Sequence, residues 1–139
     1  MFSYLDFLFL SYSGRIGPLP YWLGYLGLGA LQIVAILLLL KLSNGTLEQL
    51  AALDRASDAL PPELLQSLMV HIGLPVAIIS LLFLYPSYAI ATKRWHDRGK
   101  SGWWSLIVLV PIIGGLWAFI ELGLLGGDEG DNDYGPAVY

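Results

Sequence analysis

Arg94-Trp95-His96-Asp97-Arg98-Gly99-Lys100-Ser101-Gly102-Trp103-Trp104 lies between two long apolar runs, and its charge decides how the rest of the chain is arranged. From Lys93 to Lys100 there are four cations against one acid. Lys and Arg gathered beside an apolar segment mark the cytoplasmic end of a membrane helix, and Trp prefers the headgroup zone. The stretch therefore reads as a short loop at a membrane surface, joining two helices that lie side by side.

Composition agrees. The chain has 139 residues, of which 56% are hydrophobic and 13% charged. Soluble domains carry about 25% charged residues. With a mean hydropathy of +0.65, one all-α membrane domain over 1–139 is expected. The net charge of -4 hides an asymmetry, because cations cluster in the loop and Asp128, Glu129, Asp131 and Asp133 cluster in the tail. No extended basic surface exists for a nucleic acid. The absence of cysteine excludes disulfides, thiolate catalysis and Cys-based zinc sites. Met1 to Leu10 is apolar but lacks a basic n-region and a small-residue cleavage site, so it does not read as a signal peptide.

A span needs roughly 20 apolar residues. Three runs meet this length: about 21–42, 68–91 and 103–125. The segment 43–66 between the first two carries one cation and four acids, and the spacing of Leu47, Leu50, Ala51 and Leu53 predicts a short amphipathic helix over 46–60, with Thr46 as its N-cap. Pro61-Pro62 ends that helix and starts the next. Met1 to Tyr12 is too short to span and reads as an interfacial helix. The positive-inside rule puts Arg15 and the loop 93–102 in the cytoplasm and 43–66 outside. Pro111 and Gly114-Gly115 interrupt the third run. They make either a kink in a full span or a re-entrant hairpin. The kinked span is the expectation, and it places the tail 126–139 outside.

Gly14-Arg15 with Tyr21-Trp22, then Arg94-x-His96-Asp97-x-Gly99-x-Ser101-Gly102-Trp103-Trp104, then Gly130-x-Asn132-x-Tyr134-Gly135-Pro136, resembles the DUF805 family. That resemblance implies a small bacterial inner-membrane protein with about three spanning helices and no assigned activity. Family members usually carry more basic residues between the Gly-Arg and Tyr-Trp pairs than Ile16-Gly17-Pro18-Leu19-Pro20 provides here.

The candidate residues fall into groups. Arg15, Arg94, Arg98 and Lys100 are candidates to meet an anionic lipid headgroup or phosphate, since each basic residue near an anionic surface contributes about 1 kcal/mol. His96, Asp97 and Ser101 are expected to order the loop. Asp97 pairs with Arg94 or Arg98, His96 pairs with Asp97 or faces headgroups, and Ser101 caps the following helix. Tyr21, Trp22, Trp95, Trp103 and Trp104 are expected interface anchors, and Tyr134 and Pro136 are expected to anchor the tail at the surface. His71 is expected in the first turn of the second span. Glu121 is expected near the outer interface, snorkelling or paired with Lys41. Small-residue seams at Gly24, Gly27 and Ala30, at Gly73 and Ala77, and at Gly114 and Ala118 suit helix packing within a chain or between copies.

No catalytic residue, metal site or cofactor is expected. His96-Asp97 has no nucleophile beside it and too few partners for a metal. The leading expectation is a non-enzymatic membrane component whose partners are the bilayer, anionic phospholipid, and a second copy or another membrane protein. A transport-related subunit is the next reading, and an enzyme acting on lipid headgroups through His96 and Asp97 is the third.

Overall fold

The computed structural model describes residues 3–56 and 61–138, and every regular element among them is helical. The chain divides into two compact units, Met1–Leu28 with Leu84–Tyr139, and Gly29–Phe83.

In the first unit, helix α1 (Tyr4–Leu10) opens on a capping box. Ser3 Oγ accepts from the Asp6 amide at 3.1 Å, and Asp6 Oδ2 accepts from the Ser3 amide at 2.8 Å. Leu8 anchors α1 in a core with Ile16, Tyr21, Ile90 and Trp95. Gly14, at φ +89°, turns the chain towards α2 (Pro18–Leu42). Pro18 suits the first helical position, where its missing N–H has no partner to lose. The 25 residues of α2 measure roughly 37 Å at 1.5 Å per residue.

In the second unit, α3 (Asn44–Ala56) starts before the expected cap at Thr46. Ser43 supplies the first acceptor instead, its carbonyl taking the Thr46 and Leu47 amides at 3.0 and 3.3 Å. The end of the expected helix, at 57–60, lies outside the described residues. Pro61-Pro62 opens α4 (Pro62–Leu68) as anticipated, and a π-helical turn, Met69–Gly73, leads into α5 (Leu74–Asp97). His71 thus sits in that turn. Pro75 accounts for the irregularity, because it has no N–H for the His71 carbonyl and its ring crowds that oxygen. Ser43 Oγ donates to the freed carbonyl at 3.2 Å.

Pro18–Leu42 and Pro62–Asp97 are both long and apolar enough to cross a membrane. Their apolar side chains face outwards: Leu31, Leu37, Leu81 and Leu82 are each more than half exposed. Exposed apolar surface of that extent needs a non-aqueous neighbour.

The third apolar run is not one helix, and the expected kinked span is corrected. A 3-10 helix, Gly102–Leu109, runs to a turn at Pro111-Ile112. Helix α6 (Ile113–Ala118) and a π-helical stretch, Phe119–Leu124, then return. Ile112, at φ 65° and ψ -61°, is the centre of a γ-turn closed by the Ile113 amide on the Pro111 carbonyl at 2.7 Å. The carbonyls of Ile107, Val110 and Ile112 accept from Val110, Gly114 and Leu116, so the tip satisfies its own backbone. Gly114 permits the reversal, since a Cβ there would lie 1.7 Å from the Ile107 carbonyl oxygen. Eight residues at about 2 Å each make an arm of roughly 16 Å, about half a hydrocarbon core.

Candidate functional site

The hairpin brings Glu121 back to the loop it left. Lys100 Nζ donates to Glu121 Oε1 at 2.7 Å, and Arg98 Nε donates to Glu121 Oε2 at 3.1 Å. Arg98 also donates to the Gly126 carbonyl. The expectation of Glu121 at the far interface is therefore overturned by the reversal at Pro111-Ile112.

Beneath this edge lies a buried ion cluster centred on Asp97. Asp97 Oδ2 accepts from Arg94 Nη1 at 2.5 Å, one turn earlier on α5, and Asp97 Oδ1 accepts from Arg15 Nε at 3.1 Å. All three side chains are 0% exposed. The remaining guanidinium donors serve backbone oxygens. Arg94 Nε donates to Leu122 at 2.8 Å and Arg94 Nη2 to Leu125, which satisfies carbonyls at the end of the returning arm. Arg15 donates to the carbonyls of Asp128 at 2.6 Å, Gly130 at 2.7 Å and Gly135 at 3.2 Å. Buried charge is tolerable only with this degree of pairing.

The tail is fastened to the same place. The Asp128 amide donates to the Asp97 carbonyl at 2.8 Å, and Asn132 Nδ2 donates to the His96 carbonyl at 2.9 Å. Tyr134 stacks on His96 with ring centroids 3.9 Å apart and planes 6° from parallel. His96 Nδ1 lies 3.2 Å from the Gly14 carbonyl oxygen. Burial, opposed by that carbonyl and reinforced by Lys93, holds the His96 pKa below its ordinary value. Gly99 ends α5 at φ +64°, where a Cβ would meet Asp128 Oδ2 at 2.9 Å. Gly127 passes so close that a Cβ would lie 2.0 Å from Asp97 Oδ2.

Several expectations change. Arg15 and Arg94 face inward, so neither presents its charge at the surface. His96 meets Gly14 and Tyr134 rather than Asp97. Tyr134 is consequently a packing partner of the loop. The tail lies against the loop 93–102, not on the opposite side from it. Trp95 and Tyr21 are 0% and 6% exposed and belong to the core. Trp22 donates through Nε1 to the Gly123 carbonyl at 3.0 Å. Trp103 and Trp104 do face outward, at 74% and 47% exposed. Ser101 caps as expected, its hydroxyl accepting from the Trp103 amide at 3.4 Å. Lys93, never singled out as a contact, is buried on the Ser11 and Ala89 carbonyls against the Phe7 ring. Asn132 and Gly127 are the tail residues that sequence reading did not assign to the cluster. The Gly-x-Asn-x-Tyr-Gly-Pro pattern was the visible trace of Asn132, and Gly127 lies outside it.

The three sequence motifs thus converge around Asp97, the first through Arg15 and the third through Arg15 and the His96 carbonyl. A family model described as a protein of unknown function, DUF805, matches residues 9–136, and the chain belongs to that family. Among its relatives, the inner membrane protein YhaH of Escherichia coli K12 is 36% identical over 64 residues, covering 46% of this chain and 52% of YhaH. The matched stretch thus spans about half the length of that relative. The inner membrane protein YhaI of the same strain is 32% identical over 82 residues, covering 56% of this chain and 69% of YhaI. The uncharacterized protein YiiR is 25% identical over 149 residues, covering 90% of this chain and 84% of YiiR. No solved structure matches the chain.

Proposed function

We propose that this protein is a non-enzymatic structural or regulatory component of the bacterial inner membrane that holds anionic phospholipid at the cytoplasmic surface through Arg98 and Lys100. The carrying observation is the division of labour among the loop cations. Arg15 and Arg94 are consumed by Asp97 and backbone oxygens. Arg98 and Lys100 share one carboxylate and keep 22% and 30% side-chain exposure, and Lys100 lies against the outward Trp104. One surplus positive charge beside exposed indoles suits a headgroup zone.

The same reading carries a topology. Two helices cross, the hairpin 102–124 enters and leaves from the cytoplasmic face, and the loop 93–102 and the tail share that face. The segment 43–66 lies outside.

Phospholipid retained after mild-detergent extraction tests the proposal. The Arg98→Gln/Lys100→Gln variant is expected to lose its enrichment in phosphatidylglycerol, while Arg98→Lys/Lys100→Arg keeps it. Equal enrichment in all three proteins overturns the proposal.

A further inference from the structure

Thr92 Oγ1, Trp95 Nε1 and Ser105 Oγ are buried polar atoms with no hydrogen-bond partner. Their residues are 6%, 0% and 8% exposed. They belong to one seam between α5 and the 3-10 helix. Thr92 and Trp95 are a turn apart on α5. Gly102 packs directly on Thr92, where a Cβ would lie 2.4 Å from Thr92 Cγ2. Ser105 follows one 3-10 turn later on the same face as Gly102. Leaving buried donors unpaired is unfavourable, and native structures rarely tolerate it.

The seam lies behind a cation and an aromatic wall. The Trp95 and Trp104 rings are 6.2 Å apart, and Lys100 Nζ stands 5.6 and 5.7 Å from their centroids. Outside Trp104 runs an open groove of about 450 Å³ lined by Ser101, Trp103, Trp104 and Ile107. Indole N–H only donates, an ammonium only donates, and both hydroxyls can donate. A metal cation finds no charged ligand among these groups, and a pure hydrocarbon would leave all of them unmatched. The complement is a molecule with a charged phosphate, neutral acceptor oxygens and an apolar chain.

We infer that this part of the molecule seats one phospholipid: the phosphate meets Lys100, an acyl chain lies along Trp103 and Ile107, and the half-exposed Trp104 ring turns aside so that an ester oxygen reaches the Thr92–Trp95–Ser105 seam, which is closed when no lipid is bound. The inference deepens the lipid reading given above and rests on it. It adds a defined seat to a general surface attraction.

The test is native mass spectrometry of the whole protein released from nanodiscs of phosphatidylglycerol and phosphatidylethanolamine. Wild type is expected to carry one phospholipid that survives release. Thr92→Val/Ser105→Ala removes two donors at nearly constant volume, and the fraction carrying lipid is expected to fall about fivefold, the effect of roughly one hydrogen bond. Its melting temperature in lipid-free detergent is expected to hold or rise, because a buried donor without a partner costs the empty fold its desolvation. Added inorganic phosphate is expected not to displace the lipid. A double variant that keeps its lipid overturns the seat, as does wild type without a bound lipid or displacement by inorganic phosphate. If Arg98→Gln/Lys100→Gln still loses phosphatidylglycerol enrichment in those cases, the general surface reading stands and the seat alone falls.

Discussion

Lys100 Nζ and Glu121 Oε1 meet at 2.7 Å although 21 residues of apolar chain separate them. A helix of that length would carry its ends roughly 30 Å apart. The ion pair therefore records a reversal, which brings the tail back against the loop 93–102.

The first prediction concerns the tail's side of the membrane. The chain has no cysteine, so a single introduced thiol is the sole site for a maleimide. Gly45→Cys and Glu129→Cys are suitable, since nothing lies within 4 Å of a Cβ at Gly45 and Glu129 is exposed. A membrane-impermeant maleimide applied to intact spheroplasts is expected to label Cys at 45 and spare Cys at 129. Labelling at 129 before lysis would sink the hairpin topology.

Asp97 should be the least replaceable side chain. Asp97→Asn keeps its size but leaves Arg15 and Arg94 buried without a counter-charge. Removing one member of a buried ion cluster costs about 3–5 kcal/mol. A large fall in detergent melting temperature, or loss of folded protein, is expected. Arg94→Lys is expected to destabilise as well, because one ammonium cannot serve Asp97, Leu122 and Leu125 in the fork geometry of a guanidinium. An unchanged melting temperature in both variants would show the cluster to be energetically neutral.

Adjacent glycines provide internally controlled tests. Gly114→Ala drives a methyl into the Ile107 carbonyl, whereas Gly115→Ala points into open space. Gly127→Ala drives one into Asp97, whereas Gly126→Ala is again open. Overpacking costs about 1–3 kcal/mol. The first member of each pair is expected to lower the melting temperature and the second to leave it nearly unchanged. Gly127→Ala is also expected to speed limited proteolysis of the tail. Equal behaviour within either pair would contradict the close approach.

The fourth prediction is a pH dependence. His96 faces Gly14 on one side and Tyr134 on another, with Lys93 as the nearby charge named in its environment. Its folded pKa lies below the ordinary histidine value of about 6.5. The unfolded chain therefore binds the proton first as pH falls. Stability from this group is complete above about pH 6.5 and declines as pH drops below it towards the folded pKa. Melting curves from about pH 7 to about pH 5 are expected to show a steeper decline for wild type than for His96→Gln. Parallel declines would remove His96 as the cause.

Much of the scaffold was legible because local rules governed it. Apolar length marked the two long helices, and Pro61-Pro62 marked a break. The third run misled because hydropathy sums composition and is blind to direction. Pro111 and Gly114-Gly115 were the visible warning, but the decisive contact is a glycine against a carbonyl seven residues earlier. Charge counting misled at Arg15 and Arg94 in a similar way. It treats a cation as surface unless a carboxylate is near, and most of their acceptors are backbone carbonyls from the returning arm and the tail. Backbone oxygens carry no signature in a sequence. Pairing of Asp97 with Arg94 was within reach because it is local to one helical turn. Stacking of Tyr134 on His96 was not, since the two are 38 positions apart.

The wiring of Arg15 has a consequence in time. Its carbonyl partners at 128, 130 and 135 follow it by 113, 115 and 120 residues. Chains grow at about 5–20 residues per second, so the guanidinium waits roughly 6 to 24 seconds between its own synthesis and the arrival of those acceptors. The cap can close only after both long helices and the hairpin have been synthesised. A polypeptide stalled or cut before residue 128 would hold an arginine cradle still open to water and to any phosphate within reach, and quality-control proteases would meet it in that state.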